Sequence, residues 1–358
     1  MPIPERKRAY IHIGLAKTGS TSIQYAMAMG RQALLEQGYF FPTSGTPDRA
    51  SGHHCLAWAL CNSPRLQEQC GGFTMHDFRS ALEESGNLEL IISSEELSNL
   101  AYSYKKIRHL INFFSNYELF LIAYVREQAE FFNAFWLELL SDLDYKGDIG
   151  VFVDDRMLET RYNYNNWFKL WKEFLGPHLI IRPFDREWLC NSNVVDDFCN
   201  TIGIDGSPLR RSDGWKNRSL NAMQVAATIG LLTKLQGLGI NYRALSGDSK
   251  ASVKGVLSHV IRVPELLGGE NYWGIDSERL QRIHQHYRDA NALFFREHLG
   301  EGQTFSALDR ASPSTALHYT DLDVDLREKL ESTFAEKIRR LPVAHLSTSE
   351  NNGADTPR

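Results

Sequence analysis

Long apolar runs are missing from this 358-residue sequence. The run ELFLIAYV at 118–125 has the length of a buried strand. It is far shorter than the roughly 18 apolar residues of a membrane-spanning helix. The first residues, MPIPERKRAY, are charged and lack the apolar segment of a signal peptide. We therefore expect a soluble, cytoplasmic protein with no signal peptide and no transmembrane segment.

Cysteine is scarce, and its spacing is not that of a metal site. The five cysteines are odd in number and form no CxxC motif. This usage favours free thiols in a reducing compartment over a disulfide framework or a zinc site. The histidines show no HExxH or similar spacing, so we expect no bound metal.

An excess of positive charge is also missing, since the formal net charge is −5 at pH 7. That balance argues against nucleic acid as a partner. With 42% hydrophobic and 23% charged residues, the composition is that of a globular protein. The length suffices for one large domain or two smaller ones.

Short apolar runs alternate with helical patterns through the first half of the chain. The strand-like runs are 10–14, 88–93, 118–125 and 178–184, and the helical segments between them include 103–115, 127–140 and 165–175. The last three runs are continuously apolar, as in strands covered on both faces of a parallel sheet. The order predicts an α/β fold, a doubly wound parallel sheet flanked by helices.

Beyond residue 205 helical patterns dominate. They cover 220–235, 276–299 and 326–340, whereas Gly/Ser-rich stretches at 205–214 and 246–255 are interpreted as loops. We expect one α/β domain over 8–300, mainly helical in 205–300, and a helical extension over 301–340. The polar end, 341–358, is expected to be disordered.

The segment Tyr10–Gln24, YIHIGLAKTGSTSIQ, has the pattern of a strand, a tight loop and a helix N-terminus. Such a loop presents backbone N–H groups, the helix dipole attracts negative charge, and Lys17 adds a full charge. The pattern predicts a site for a phosphate or a sulfate ester. The alternative is an ordinary strand–helix connection in which these residues only turn the chain and cap the helix.

Lys17 precedes the glycine of this loop, as K-T-G-S-T, whereas nucleotide hydrolases have GxxxxGK[ST]. The order resembles the 5′-phosphosulfate loop of the sulfotransferase superfamily, PK[ST]G[ST]T, with Ala16 where proline is usual. Further segments, among them GYFFP (38–42), SSEELSNL (93–100) and YVREQAEFFNAFW (124–136), are similar to the bacterial and heparan-type carbohydrate branch. The resemblance covers residue 8 to about 300. It implies a P-loop-type fold.

The resemblance implies that the donor is PAPS (3′-phosphoadenosine 5′-phosphosulfate), used without a metal ion. Lys17 is expected to stabilise the departing phosphate oxygen. The residues implied for the 5′-phosphate are Lys17, Thr18, Gly19, Ser20, Thr21 and Ser22.

Arg126 ends a predicted strand and matches the arginine that binds the 3′-phosphate in this superfamily. A surface salt bridge with Glu127 or Glu130 is the alternative. The serine expected eight residues later is Ala134, so Asn133 is considered as its substitute.

Asn217 and Arg218 precede a predicted helix. They either complete a phosphate site or only cap that helix.

Three residues are candidates for the base that accepts the acceptor's proton. His53 and His54 follow the FFP segment, where related enzymes place a catalytic carboxylate or histidine, and imidazole suits proton transfer near neutrality. Glu95 follows a predicted strand at the carboxyl rim of the sheet. Each of the three is also explained by helix capping or packing.

These features predict an enzyme that transfers a sulfuryl group from PAPS to a hydroxyl or amine of an acceptor, expected to be a carbohydrate or glycoconjugate. One alternative is a P-loop kinase, disfavoured by the position of Lys17 and by the lack of a Walker-B signature. Another is a non-catalytic protein that binds PAP (the desulfated donor) or another anion, to which Ala134 gives weight.

Overall fold

The computed structural model describes residues 6–47, 51–145, 147–209, 219–242, 245, 247–306 and 318–341. The chain divides into two compact units. Unit 1 is drawn from Met1–Gln128, Glu159–Lys216 and His284–Ala307, and unit 2 from Ala129–Leu158, Asn217–Ile283 and Leu308–Arg358.

Within the described residues, five strands form one parallel sheet in unit 1. The strands are β1 (Arg8–His12), β2 (Tyr39–Phe40), β3 (Glu89–Ser93), β4 (Glu118–Val125) and β5 (Leu179–Pro183). Their order is β2-β3-β1-β4-β5. The carboxyl ends of β3, β1 and β4 therefore lie side by side where the strand order reverses, which is where open α/β sheets bind ligands. The parallel α/β sheet flanked by helices is confirmed.

Along the chain, helices of both units separate or follow these strands. In chain order they are α1 (Ser20–Met29), α2 (Arg31–Glu36), α3 (His54–Cys61), α4 (Arg65–Gln69), α5 (Met75–Glu83), α6 (Tyr104–Phe113), α7 (Gln128–Ser141), α8 (Ile149–Met157), α9 (Tyr164–Leu175), α10 (Val194–Ile202), α11 (Ala222–Gly237), α12 (Gly247–Val260), α13 (Ser277–His298) and α14 (Val324–Arg339). Short 3₁₀ helices span Glu95–Leu100, Thr160–Tyr162, Gly176–His178, Cys190–Ser192, Ser207–Leu209, Pro264–Leu266 and Tyr319–Asp321.

Alternate residues of the strands point into two apolar layers. Ile11, Ile92 and Leu121 belong to one layer, together with residues of α3, α6 and α9. Tyr10 and Tyr124 belong to the other layer, together with residues of α1 and α10. Because both faces are covered, the strands read as continuous apolar runs in the sequence.

Part of the predicted loop at 246–255 is helical. The helix α12 begins at Gly247, and Val253, Leu257 and Val260 are its buried residues. Their spacing is helical, so burial of this stripe outweighs the poor helix propensity of the Gly/Ser-rich half.

Cys55 and Cys70 form a disulfide, with Cα atoms 5.9 Å apart. This corrects the prediction that the cysteines are free thiols. Cys55 lies on α3 and Cys70 directly follows α4, and both pack beside Trp58. Pairing of this kind is set by the fold and cannot be deduced from spacing. Cys61, Cys190 and Cys199 form no disulfide within the part of the chain that the structure describes.

Among the helices of the described residues, none is both long and apolar enough to cross a bilayer.

Candidate functional site

The loop between β1 and α1 is built around the carbonyl of Leu15. The Thr18 hydroxyl donates to this carbonyl at 2.6 Å, and the Ser20 hydroxyl donates to it at 3.4 Å. The first helical bonds run from the N–H groups of Ser22 and Ile23 to the Gly19 carbonyl, at 2.9 and 3.2 Å. The backbone N–H groups of the residues before Ser22 lie ahead of these first helical bonds. N–H groups in this position are the ones with which a helix N-terminus binds an anion.

Two residues of this β1–α1 loop have left-handed backbone conformations. Lys17 has a φ of 63° and Gly19 a φ of 79°. A lysine in this region is strained by about 1 kcal/mol, and such strain is typical of functional loops. Left-handed residues next to right-handed ones are typical of backbone nests, in which successive N–H groups bind an anion.

A glycine is required at position 19 for two reasons: its φ is positive, and its neighbours leave no space for a side chain. A Cβ at this position would lie 2.8 Å from Val194 Cγ1 and 2.9 Å from Phe184 Cε2. The loop is therefore pressed directly against α10 and the residue that follows β5.

We expect Gly19→Ala to lower the free energy of unfolding by about 3 kcal/mol, measured by urea denaturation, because left-handed strain adds to overpacking. Gly38→Ala is the matched control, since Gly38 has a φ of 89° and its Cβ would meet nothing within 4 Å. The control should lose only about 1 kcal/mol, the cost of the strain. Equal losses in the two variants would contradict the contact of Gly19 with Phe184 and Val194.

Arg126 directly follows β4 and reaches the same loop. Its Nη1 donates to the Lys17 carbonyl at 3.2 Å. The guanidinium lies over the Phe184 ring, 5.5 Å from the centroid, and the Tyr164 hydroxyl donates to the Arg126 carbonyl. The ends of β1 and β4 therefore place two cationic residues, Lys17 and Arg126, beside one helix N-terminus.

Asn133 is not suited to replace the expected serine. Its amide nitrogen donates to the Tyr272 carbonyl and its amide oxygen accepts from the Gly274 N–H, both at 2.9 Å. The side chain is buried and links α7 to residues 272–274 within unit 2. We therefore withdraw Asn133 as a ligand of the 3′-phosphate. Asn217 and Arg218 lie outside the described residues.

The two histidines at the start of α3 have different roles. His53 is fully buried, its Nε2 donates to the Pro42 carbonyl at 3.1 Å, and its Nδ1 accepts from the Ser93 N–H at 3.1 Å. Burial lowers the pKa of His53 to about 3. Because both ring nitrogens are occupied, His53 has none left for a substrate proton. It holds α3 to the end of β3, and we withdraw it as a candidate base.

His54 and Glu95 form a pair at the carboxyl end of β3. His54 Nε2 lies 3.9 Å from Glu95 Oε1, and His54 Nδ1 lies 2.9 Å from Ser94 Oγ. The Glu95 side chain is 32% exposed and that of His54 only 12%. Glu95 is therefore the more accessible of the two remaining candidate bases.

Gln24 connects Glu95 to the helix that starts at the anion loop. The Gln24 amide donates to Glu95 Oε2. Gln24 and Ser20 lie one turn apart on α1, so their Cβ atoms are about 5–6 Å apart. The carboxylate is thus held close to the loop. The sequence analysis did not identify Gln24 as a residue of the site. A signal was present, because Gln24 lies four residues after Ser20 and therefore on the same face of the helix.

No group of three or more His, Cys, Asp or Glu side chains in the described part of the chain has the geometry to hold a metal ion.

No protein-family model matches this chain, and no curated protein matches it. One similar solved structure is the sulfotransferase domain from the Synechococcus PCC 7002 olefin synthase, with 14% identity and a TM-score of 0.30. The similarity covers 60% of this chain and 80% of that chain. At this TM-score the similarity carries no conclusion about function.

Proposed function

We propose that this protein transfers a sulfuryl group from PAPS to a hydroxyl or amine of an acceptor, a carbohydrate or glycoconjugate. The observation that carries the proposal is the meeting of Lys17 and Arg126 at the N-terminus of α1, where Arg126 Nη1 donates to the Lys17 carbonyl at 3.2 Å. Two cations and a helix dipole suit a ligand with several negative charges. The proposal treats the β1–α1 loop as a P-loop.

In this proposal the loop binds the 5′-phosphate and Arg126 binds the 3′-phosphate. The N–H groups and hydroxyls from Thr18 to Ser22 supply short, directional donors, whereas the Arg126 guanidinium offers a planar fork to phosphate oxygens. The stacking of Arg126 on Phe184 supports this role because it limits the orientations of the fork.

Sulfuryl transfer resembles phosphoryl transfer, so positioning and cationic stabilisation are the main contributions of the protein. The acceptor oxygen or nitrogen forms a bond to sulfur while the bond from sulfur to the bridging phosphate oxygen breaks. Lys17 stabilises the electron pair that leaves on that oxygen, and PAP departs.

Glu95 is our choice for the base that takes the proton from the acceptor. It is more exposed than His54, and Gln24 fixes one carboxylate oxygen. Base catalysis of this kind contributes typically about 10²–10⁴-fold. His54, beside Glu95 Oε1, then acts as a positioning residue.

The proposal predicts that PAP raises the melting temperature of the full-length chain and that ATP with Mg²⁺ does not. At about one hundred times the Kd, a specific ligand stabilises the folded state by roughly 2.7 kcal/mol. Differential scanning fluorimetry with PAP, with ATP and Mg²⁺, and with no ligand tests this directly. A shift with ATP and Mg²⁺ but not with PAP would favour a kinase and refute the proposal.

A non-catalytic PAP-binding protein is the second candidate function. The replacement of serine by Ala134 and the commitment of Asn133 to residues 272–274 favour it, because one expected contact to the 3′-phosphate is missing. PAP binding without sulfate transfer to any member of a broad glycan screen would support this candidate.

A further inference from the structure

The disulfide between Cys55 and Cys70 lies next to the candidate base, and the proposed mechanism does not use it. Cys55 directly follows His54 at the start of α3, and its Cα lies 5.9 Å from that of Cys70. The bond closes a loop of the chain that contains α4. The disulfide therefore ties the first turn of α3, from which His54 reaches Glu95, to the end of a second helix.

Trp58 connects the disulfide to the pair of His54 and Glu95. Its side chain packs in one cluster with both cysteines of the disulfide. Its ring also lies 5.7 Å from the imidazole of His54, measured between ring centroids. His54 Nε2 in turn lies 3.9 Å from Glu95 Oε1. Because close-packed side chains transmit displacements to one another, a shift of Trp58 changes the geometry of the pair.

The other contacts of α4 are weak. None of its five residues is buried. Its ion pair, from Arg65 Nη1 to Glu96 Oε1 at 2.9 Å, joins two partly exposed side chains. A pair of this kind contributes only about 0–1 kcal/mol. The disulfide is accordingly the strongest constraint on this segment, and local opening of α4 gives a reductant access to it at a small cost in free energy.

We propose that the disulfide of Cys55 with Cys70 is a redox-sensitive clamp that positions His54 and Glu95 for proton transfer. A dithiol reductant opens the clamp. One of its thiolates attacks a sulfur of the disulfide, its second thiol resolves the mixed disulfide, and the products are two cysteine thiols and the oxidised reductant. The first turn of α3 and Trp58 are then free to shift, and the pair loses its fixed geometry.

This inference rests on the proposed function, because Glu95 is the base only there. The donor site is assigned to other segments, the β1–α1 loop and Arg126. Opening of the clamp should therefore affect turnover and spare the binding of PAP.

The test compares the oxidised full-length protein with the same protein reduced by dithiothreitol. The assay uses PAPS and the glycan that accepts sulfate fastest in a broad screen. We expect reduction to lower kcat about tenfold, since a misplacement of about 1 Å can cost up to 10²-fold. The Kd for PAP, measured by calorimetry, should stay within twofold, and oxidised glutathione should restore kcat. Thiol titration of the unfolded chain verifies each redox state, and near-UV circular dichroism verifies that both forms are folded.

Three variants separate the clamp from other effects of the reductant. The double variant Cys55→Ser with Cys70→Ser should have the low kcat of the reduced protein and no response to dithiothreitol. Cys61→Ser is the matched control, because Cys61 lies on the same helix outside the disulfide, and it should keep the normal kcat and the response. In His54→Ala, reduction should change kcat less than twofold, because the clamp acts through His54.

A spectroscopic measurement on the unmodified protein tests the clamp without a substrate. Reduction should shift the ring resonances of His54, which are assigned by their loss in His54→Ala, because the imidazole lies against Trp58. The resonances of His109, an exposed histidine on α6, should stay in place.

The possible outcomes separate the two proposals. Full kcat after verified reduction, or a chain in which the disulfide does not form, would overturn the clamp while the proposed function stands. Equal losses of kcat and of PAP affinity would overturn it as well, because they indicate a general loss of structure. Failure of the oxidised protein to bind PAP, or to transfer sulfate to any member of the screen, would overturn the proposed function and this inference with it.

Discussion

Lys17→Ala is expected to lower kcat for sulfuryl transfer about 10³-fold, because it removes the cation from the oxygen on which charge develops. The substitution leaves the loop geometry in place, since alanine and lysine pay the same cost at the φ of 63°. PAP should still bind, because the N–H groups of the loop and Arg126 remain. The measurement is a steady-state transfer assay with calorimetry of PAP on the same variant.

Lys105→Ala is the matched control for this prediction. Lys105 is an exposed lysine on α6, and its loss should leave kcat unchanged. A Lys17→Ala variant that retained full activity would refute the assignment of Lys17 to the leaving oxygen. Loss of PAP binding together with activity would instead assign Lys17 to ground-state binding.

Glu95→Gln is expected to lower kcat about 10³-fold while PAP affinity stays within twofold, because only the proton acceptor is removed. The amide is close in shape to the carboxylate, so it should occupy the same space beside Gln24 and His54. His54→Ala should have a smaller effect, about tenfold, if His54 only positions the carboxylate.

Glu96→Gln is the control variant, because Glu96 is the next residue of the same 3₁₀ helix. Its carboxylate is paired with Arg65 Nη1 at 2.9 Å. The variant should transfer sulfate at the normal rate. A larger loss in His54→Ala than in Glu95→Gln would make His54 the base and reverse the roles.

The sheet could be predicted because strands that are buried on both faces consist of continuous apolar runs. The runs predicted at 10–14, 88–93, 118–125 and 178–184 correspond to β1, β3, β4 and β5. The edge strand β2 has two residues, which is too short for any periodicity. The helix α12 is not predictable from the sequence, because its Gly and Ser residues outweigh a stripe of only three buried residues.

The candidate site could be predicted where its residues follow the ends of predicted strands, and it could not where it depends on side-chain contacts away from those ends. Lys17 and Arg126 were expected together because parallel strands end at one edge, and the two residues are in contact. The hydrogen bonds of Asn133 go to residues 272–274, which are far away in the chain. Gln24 and the disulfide of Cys55 with Cys70 depend on tertiary contacts in the same way.

We propose above all that the β1–α1 loop and Arg126 form a site for a donor with two phosphates. Isothermal titration calorimetry of the full chain with PAP, compared with adenosine 5′-monophosphate, tests this claim most directly. We expect PAP to bind at least about tenfold more tightly, because its 3′-phosphate gains charged hydrogen bonds from Arg126. Absence of PAP binding, or equal affinity for the two nucleotides, would contradict the claim.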